Sequence, residues 1–223
     1  MPNPRIKICC ISSVEEAMLA INHGATAIGL VGPMPSGPGP IPNKRITEIA
    51  QAVPEHIETF MLTSETTLDG VLRHHELTRT NTIQLVDALE AGAHADLKAE
   101  LPDVQIIQVI HVHDEWAMDA AMEVVHQVDA LLLDSGNPKL KVKQLGGTGR
   151  THDWEISRKI VEMAPVPVYL AGGLHPNNVA DAIRKVKPYG VDICSGVRTN
   201  GQLDRFKLEQ FVAAVRYETA QLP

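Results

Sequence analysis

The sequence predicts an α/β protein with a (β/α)8 TIM-barrel fold, formed as one domain over residues 1–223. Apolar, β-branched runs alternate with helical patterns eight times, which is typical of a parallel sheet. Several runs are continuously apolar, as expected for strands that are buried on both faces. The length of 223 residues also suits a closed barrel. A doubly wound open sheet is the alternative, although its usual G-x-G-x-x-G motif does not follow the first strand.

The eight predicted strands are short segments rich in valine, isoleucine and leucine. In chain order they cover residues 6–11, 27–31, 59–62, 82–86, 104–112, 130–134, 167–172 and 191–196. The Pro/Gly-rich segment 32–42, which follows the second strand, predicts a loop rather than a linker between domains.

Helical patterns fill the spaces between the strands. The first begins after Ser13 as its N-cap, carries acidic residues in its first turn and ends at Gly24. The others are predicted over residues 43–53, 66–75, 88–101, 115–128, 153–164, 177–186 and 204–220. Alanine–glycine breaks interrupt the pattern over 88–101.

The composition argues against several classes of protein. The chain has 20 Lys and Arg against 27 Asp and Glu, a net charge of −7, whereas nucleic-acid binding needs a basic surface. We find neither the apolar segment of a secretion signal nor a run long enough to span a bilayer. The three cysteines are too few, and odd in number, for a disulfide framework. We therefore expect a cytoplasmic protein without nucleic-acid or membrane partners.

The first strand ends in Cys9 and Cys10, and barrel enzymes carry their chemistry at the carboxyl ends of the strands. Because side chains alternate along a strand, only one cysteine of the pair is expected to face the interior. A lysine is poorly tolerated beneath the helices, which favours Lys7 and Cys9 as the inward residues. Cys10 is then predicted to pack against the helical layer as a small apolar residue. The alternative is that both cysteines are inert core residues.

Asp134 follows four apolar residues at the end of the sixth strand. A carboxylate is costly to bury there unless it is paired or protonated. Partial burial would raise its pKa and keep a proton available near neutral pH, so that Asp134 could serve as a general acid or base. The alternative is an aspartate that anchors the following loop.

The seventh and eighth strands end in small residues that suit a phosphate site. Gly172, Gly173, Ser195 and Gly196 would let the backbone approach an anion and donate N–H groups to it. Either pair alone is weak evidence for a phosphate site, because two glycines after a strand also form ordinary turns. The prediction rests on finding both pairs, one at each of these two strands.

The loop "GGTGRTHDW", residues 146–154, is interpreted as a lid or ligand clamp that enters a helix at Asp153. We count Gly147 among the phosphate-binding candidates and Arg150 among the substrate-binding candidates. The alternative is a flexible surface loop.

Histidines suggest a rival site at the end of the fifth strand. His111 and His113 share one face there, and Asp134 follows on the next strand, so a metal site is conceivable. Further ligands on neighbouring strand ends are not evident. His74 and His75 lie on a helix with charged neighbours and are expected to be solvated.

Taken together, these segments resemble the phosphoribosylanthranilate isomerase family. "KICCI" is similar to the family's K-I-C-G-I, "LLLDS" carries its sixth-strand aspartate, and "GGTGRTHDW" is similar to G-G-T-G-K/R-T-F-D-W. "LAGGLHPNNVADAI" and "GVDICSGV" are similar to its last two strands. The resemblance runs from Ile6 to about Phe211. It implies an Amadori rearrangement of a small phosphorylated sugar-amine in tryptophan biosynthesis, by a monomer or homodimer, with no cofactor and no metal.

The resemblance also implies residue roles. Asp134 would be the general acid that protonates the furanose ring oxygen and opens the sugar to an imine. Cys9 would be the general base that removes the proton from C2, and Asp192 would hold the sugar hydroxyls. Lys7, counted with Asp192 and Arg150 among the substrate-binding residues, would lower the pKa of Cys9 so that the thiolate forms.

The chain departs from the family pattern at five places. Cys10 replaces a glycine, Val86 replaces a histidine, His152 replaces a phenylalanine, and Arg198 replaces a glutamate. The loop 32–42 reads "SGPGPIP" near its end where the family has S-P-R, whose arginine is thought to bind the anthranilate carboxylate.

These departures leave three alternatives to an ordinary isomerase, which would bind the carboxylate with Arg198 or Arg150. The first is an isomerase-like enzyme for another phosphorylated ribosylamine. The second is a metal-dependent phosphosugar epimerase that uses His111, His113 and Asp134. The third is a non-catalytic barrel that binds a phosphorylated ligand.

Overall fold

The computed structural model describes residues 4–137, 143, 145 and 149–221. Eight parallel strands follow each other in chain order around a closed barrel, in which the eighth strand pairs with the first. The predicted barrel is confirmed, and the open sheet is wrong. That the whole chain forms one domain stays a prediction.

The strands of the barrel are short and fully or largely buried. They are β1 Arg5–Ile8, β2 Ala27–Val31, β3 Glu58–Thr63, β4 Thr82–Leu85, β5 Gln105–His111, β6 Ala130–Asp134, β7 Val168–Leu170 and β8 Gly190–Ile193. After β8 come a 3₁₀ turn, η1 Ser195–Val197, and a small antiparallel pair, β9 Arg198–Thr199 and β10 Gln202–Leu203. The first and eighth strands end earlier than predicted, because Cys10 has a left-handed φ and Cys194 leads directly into a 3₁₀ turn.

Helices follow each of the eight barrel strands. They are α1 Val14–His23, α2 Asn43–Ala52, α3 Leu68–Thr78, α4 Ala93–Glu100, α5 Trp116–Val124, α6 Trp154–Met163, α7 Val179–Val186 and α8 Arg205–Gln221. Ser13 caps α1 by accepting a hydrogen bond from the Glu16 N–H, and Gly24 ends the helix with a left-handed φ of 108°. The helix predicted over 88–101 is shorter because residues 88–90 are irregular and residues 91 and 92 form a turn before Ala93. No helix in the described ranges has the length and apolar character needed to cross a bilayer.

The core has two layers, as the alternation of side chains in a strand requires. The larger layer lies between the strands and the helices, and the smaller one fills the barrel interior. In β6, for example, Leu131 and Leu133 pack beneath the helices while Leu132 faces inward. Because the alternation continues to Asp134, its carboxyl group faces inward at the end of the strand.

Candidate active site

A cavity opens at the carboxyl ends of the strands, where barrels place their chemistry. Its empty space is about 730 Å³, including the open mouth. One side, which we call the carboxylate wall, is formed by Asp134, Gly172, Gly173, Asp192 and Ser195. The opposite side, which we call the thiol wall, is formed by Cys9, Cys10, Val86 and the segment of the second loop from Met34 to Pro38.

Cys9 faces into the cavity, as predicted, and lies above the bare backbone of Gly29. A Cβ atom added at Gly29 would stand 2.7 Å from the Cys9 sulfur and 3.2 Å from Lys7 Nζ. The absence of a side chain on β2 therefore makes room for both the thiol and the ammonium. Contact with the Cys10 thiol and the charge of Lys7 lower the pKa of Cys9 against the opposing effect of burial.

Cys10 corrects the sequence prediction, because it lines the cavity instead of packing beneath the helices. The strict alternation that placed it outward ends with β1 at Ile8. Cys10 has a left-handed φ of 62°, which turns its side chain back toward the interior. Its thiol donates to the Pro38 carbonyl at 3.6 Å. Contacts with the thiols of Cys194 and Cys9 raise its pKa well above the usual value.

Asp134 is 8% exposed and faces the cavity from the end of β6. Burial raises its pKa from 3.8 to about 6, although the Ser135 N–H donates to Oδ1 at 2.8 Å and lowers it in part. The nearby carboxylate of Asp192 adds to the rise. A minor fraction of the carboxyl groups therefore retains a proton at neutral pH, which is the form that a general acid requires.

Lys7 and Asp192 form a buried ion pair inside the barrel. Lys7 Nζ donates to Asp192 Oδ2 at 2.8 Å and lies 4.9 Å from the centre of the Phe60 ring. Burial lowers the pKa of Lys7, but the charges of Asp192 and Cys9 outweigh it and the pKa is raised. Asp192 Oδ1 is buried without a hydrogen-bond partner among the described residues, so it is placed to accept a bond from a ligand hydroxyl.

The glycine-rich ends of β7 and β8 meet beside Asp192. Gly172 and Gly173 have left-handed φ angles of 82° and 63°, and both line the cavity with Ser195. A Cβ atom at Gly173 would clash with the Arg150 carbonyl carbon, so only glycine lets the two loops approach. Gly196 is placed differently, since it packs against the Leu174 carbonyl between the loops rather than lining the cavity.

The predicted lid is described in part. Gly147 lies outside the described residues, whereas Arg150 is exposed at the rim of the site. His152 is largely buried, and its Nε2 lies 2.7 Å from Ser157 Oγ. Burial lowers the pKa of His152 to about 4, so the imidazole is neutral at physiological pH.

Arg198 is committed to protein groups. It bonds to the Glu16 carboxylate and to the carbonyl oxygens of Cys9, Cys10 and Gly201, with 8% of its side chain exposed. This arrangement does not favour Arg198 as a ligand for a substrate carboxylate.

The histidines do not form the rival metal site in the described part of the chain. His111 stands beside Asp134 in the sheet register, but its Nε2 lies 2.9 Å from the Val86 carbonyl. No group of three or more His, Cys, Asp or Glu residues within the described ranges is placed to hold a metal ion. The expectation that His74 is solvated is wrong, because it is buried with Nδ1 2.8 Å from Thr63 Oγ1. His75 is partly buried, and its Nε2 contacts the Thr80 carbonyl.

Two contributors to the site were missed at the sequence level. Gln84 faces the cavity from β4, and its buried Oε1 has no partner among the described residues. Gly29 provides the space for the Cys9 thiol. Both carry a recognisable signal, a polar residue or a glycine inside an otherwise apolar strand.

Comparison with known proteins agrees with this geometry. A family model described as N-(5'-phosphoribosyl)anthranilate (PRA) isomerase matches residues 6–214. The N-(5'-phosphoribosyl)anthranilate isomerase of Methanosarcina acetivorans is 34% identical over 95% of this chain and 93% of the relative. A solved phosphoribosyl anthranilate isomerase from Thermococcus kodakaraensis is 30% identical, with a TM-score of 0.78 over 96% of this chain and 99% of that one.

A further solved isomerase of this kind is in complex with reduced 1-(o-carboxyphenylamino)-1-deoxyribulose 5-phosphate. It is 24% identical, with a TM-score of 0.76 over 96% of this chain and 99% of that one, and it supports the fold alone.

Proposed function

The chain belongs to the N-(5'-phosphoribosyl)anthranilate isomerase family, and from this premise we propose how its cavity performs the reaction. It is an isomerase of tryptophan biosynthesis, and its substrate is N-(5'-phosphoribosyl)anthranilate. The observation that carries the proposed chemistry is that one cavity holds a buried carboxyl group of raised pKa and a buried thiol of lowered pKa. These are an acid and a base whose environments suit opposite proton transfers.

Asp134 is the general acid in this proposal. Its carboxyl proton passes to the furanose ring oxygen as the bond between that oxygen and C1 breaks, which leaves an imine at C1 and a carboxylate on Asp134. The pKa of about 6 keeps part of the enzyme protonated near neutral pH. Positioned proton transfer of this kind contributes roughly 10²- to 10⁴-fold to a rate.

Cys9 is the general base. Its thiolate takes the proton from C2 of the imine, and the electron pair of the C–H bond forms the double bond of an enolamine. Tautomerisation to the ketone places a proton on C1, so the overall reaction is an isomerisation. The Lys7 ammonium, fixed by Asp192, lies beside the thiol and favours its charged form.

The carboxylate wall is assigned to the sugar phosphate. The free oxygen of Asp192 would accept a sugar hydroxyl, and the backbone at Gly172, Gly173 and Ser195 would approach the phosphate. A cytoplasmic location and a monomeric or homodimeric state also stay predictions.

A second candidate is the same ring-opening chemistry on another phosphorylated ribosylamine. The observation that favours it is the composition of the thiol wall, where the second loop presents Met34, Gly37 and Pro38 and the fourth strand presents Val86. The described lining of the cavity contains no arginine or lysine. Arg150 at the rim is the remaining candidate for the anthranilate carboxylate.

The decisive experiment follows the fluorescence decay of enzymatically generated phosphoribosylanthranilate. Wild type should consume it, and Cys9→Ala and Asp134→Asn should each lower kcat by about 10²- to 10⁴-fold. The exposed Asp181→Asn variant is the matched control for loss of a carboxylate and should keep the wild-type rate.

The possible failures point to different conclusions. An inactive wild type that turns over another phosphoribosylamine would move the assignment to the second candidate. A wild type that is active together with an active Cys9→Ala variant would remove Cys9 from the role of base.

A further inference from the structure

Cys10 has an unusual backbone for the residue that follows a catalytic thiol. In the described part of the chain, four non-glycine residues have left-handed φ angles: Cys10, Arg79, Lys187 and Asn200. Arg79 and Lys187 end helices and Asn200 precedes Gly201 in a tight turn, which are common places for this conformation. Cys10 is the one that lines the cavity. Such a conformation persists only where the surroundings hold it.

Arg198 supplies that restraint. Its Nη2 donates to the carbonyl oxygens of Cys9 at 3.2 Å and Cys10 at 2.5 Å, while Nη1 donates to the Gly201 carbonyl at 2.9 Å. Both nitrogens also contact the Glu16 carboxylate, at 3.0 and 3.2 Å. Glu16 is held in turn by the backbone N–H groups of Ser12 and Leu203. The guanidinium is therefore fixed on several sides.

The two carbonyl groups are those on either side of the Cys10 α-carbon. The angle φ of Cys10 rotates one peptide plane and ψ rotates the other, so a planar group that holds both oxygens fixes both angles. The direction of the Cys9 side chain depends on the same peptide plane. Arg198 thus constrains where the Cys9 sulfur points, although its hydrogen bonds go to the carbonyl oxygens and not to the sulfur.

We propose that Arg198 is a positioning residue for catalysis, which holds Cys10 in its left-handed conformation and thereby aims the Cys9 thiol at the substrate. This deepens the proposed function, because it rests on Cys9 being the base. A glycine at position 10 adopts the left-handed conformation without a side-chain penalty. Replacement of Cys10 by glycine should therefore make Arg198 largely dispensable.

The test is a double-mutant cycle with Arg198→Met, Cys10→Gly and the double variant. In the wild-type background, Arg198→Met should lower kcat about 100-fold with little change in KM, because a small misplacement of a reacting group has effects of this size. In the Cys10→Gly background the same substitution should lower kcat only about 5-fold, which is a coupling of roughly 20-fold. Arg198→Lys should be intermediate, since it keeps the charge but has no planar fork.

A second readout does not require the substrate. This readout is the rate of iodoacetamide alkylation at Cys9, located by tandem mass spectrometry and measured against pH. Arg198→Met should change this rate strongly when residue 10 is cysteine and only weakly when it is glycine. The control is Arg184→Met, which removes a bidentate contact with Glu218 between α7 and α8, and it should change neither readout in either background.

The outcomes separate this inference from the assigned reaction. Equal losses of kcat and of alkylation in the two backgrounds would overturn the positioning role, as would an Arg198→Met variant with wild-type behaviour. Should Arg198→Met fold only when residue 10 is glycine, thermal unfolding would report the same coupling and support the proposal. Coupled alkylation in a protein that does not consume phosphoribosylanthranilate would keep the positioning role and reject the substrate.

Discussion

The two walls of the cavity control protonation by different means. On the carboxylate wall, burial of Asp134 raises its pKa to about 6 against the opposing hydrogen bond from the Ser135 N–H and the charge of Lys7. On the thiol wall, burial opposes the required thiolate, and contacts with Cys10 and Lys7 overcome it. The protonated acid is therefore favoured by burial with help from a neighbouring carboxylate, whereas a buried thiolate needs partners that stabilise its charge. We therefore expect the protonation state of the Cys9 thiol to depend on more residues outside the site than that of Asp134 does.

Most of the departures from the family pattern lie on or beside the thiol wall. Cys10, Val86 and the second loop belong to the thiol wall, and Arg198 bonds to its backbone. On the opposite side, the main change is His152, a neutral and largely buried residue that contacts Ser157. We infer that the chemistry of the sugar phosphate is constrained and that recognition of the amine has room to vary.

The largest expected effect is at the ion pair that links the two walls. Asp192→Asn leaves the fully buried ammonium of Lys7 without its counter-charge, and breaking such a pair costs about 3–5 kcal/mol of unfolding free energy. Urea unfolding at pH 7 measures this loss. The control is Asp181→Asn at the surface pair with Arg184, which should cost at most about 1 kcal/mol. Similar values for the two variants would show that Lys7 is solvated or neutral in the folded protein.

The next largest effect is the pH dependence of stability that Asp134 gives to the carboxylate wall. Because the folded-state pKa of Asp134 is raised from 3.8 to about 6, the folded protein loses stability as pH rises through this interval. A shift of about 2 units corresponds to roughly 3 kcal/mol at pH 7. Asp134→Asn should therefore be more stable than wild type by up to that amount at pH 7, and should have no advantage at pH 3.5.

Thermal or urea unfolding of both proteins between pH 3.5 and 7.5 tests this linkage. The same variant should lose activity, so stability and catalysis would move in opposite directions on the carboxylate wall. A pH-independent difference between the two proteins would mean that the Asp134 carboxyl is solvated.

Much of this architecture was accessible from the sequence, because it depends on local patterns. The strands β2 and β6 were predicted with their observed bounds, and Asp134 was singled out because it follows four apolar residues at the end of β6. Alternation put Lys7 and Cys9 on one face, and the poor tolerance of a lysine beneath the helices predicted that this face points into the barrel, where Lys7 lies. These predictions depend on local strand patterns and on the residue types within them.

The remainder depended on tertiary contacts that no local pattern encodes. The reversal at Cys10 requires a guanidinium that is 188 residues away in the chain. The burial of His74 depends on Thr63 of the adjoining strand, although its neighbours on α3 are charged. The family resemblance suggests Arg198 as a cation for the substrate carboxylate, but Glu16 already occupies it.

A smaller effect concerns the glycines of the carboxylate wall. Gly173→Ala places a Cβ against the Arg150 carbonyl carbon, well inside van der Waals contact, at a left-handed φ of 63°. We expect a loss of about 1–3 kcal/mol from the clash, and a raised KM because the loop at Arg150 must move. Gly92→Ala is the matched control, since φ is 86° but no atom lies within 4 Å of the added Cβ. Equal losses in the two variants would assign the effect to backbone strain alone.

The smallest expected effect is at His152, the departure on the side of the carboxylate wall. His152→Phe should leave kcat and its pH profile between pH 6 and 9 unchanged, because the imidazole, with a pKa of about 4, is already neutral there. It should cost about 1 kcal/mol of stability, because the buried Ser157 hydroxyl loses its partner. Ser157→Ala in the same chain should recover most of that loss. Steady-state kinetics and urea unfolding of wild type and the two variants measure both quantities. A tenfold fall in kcat would instead show that the carboxylate wall, like the thiol wall, has acquired a departure on which catalysis depends.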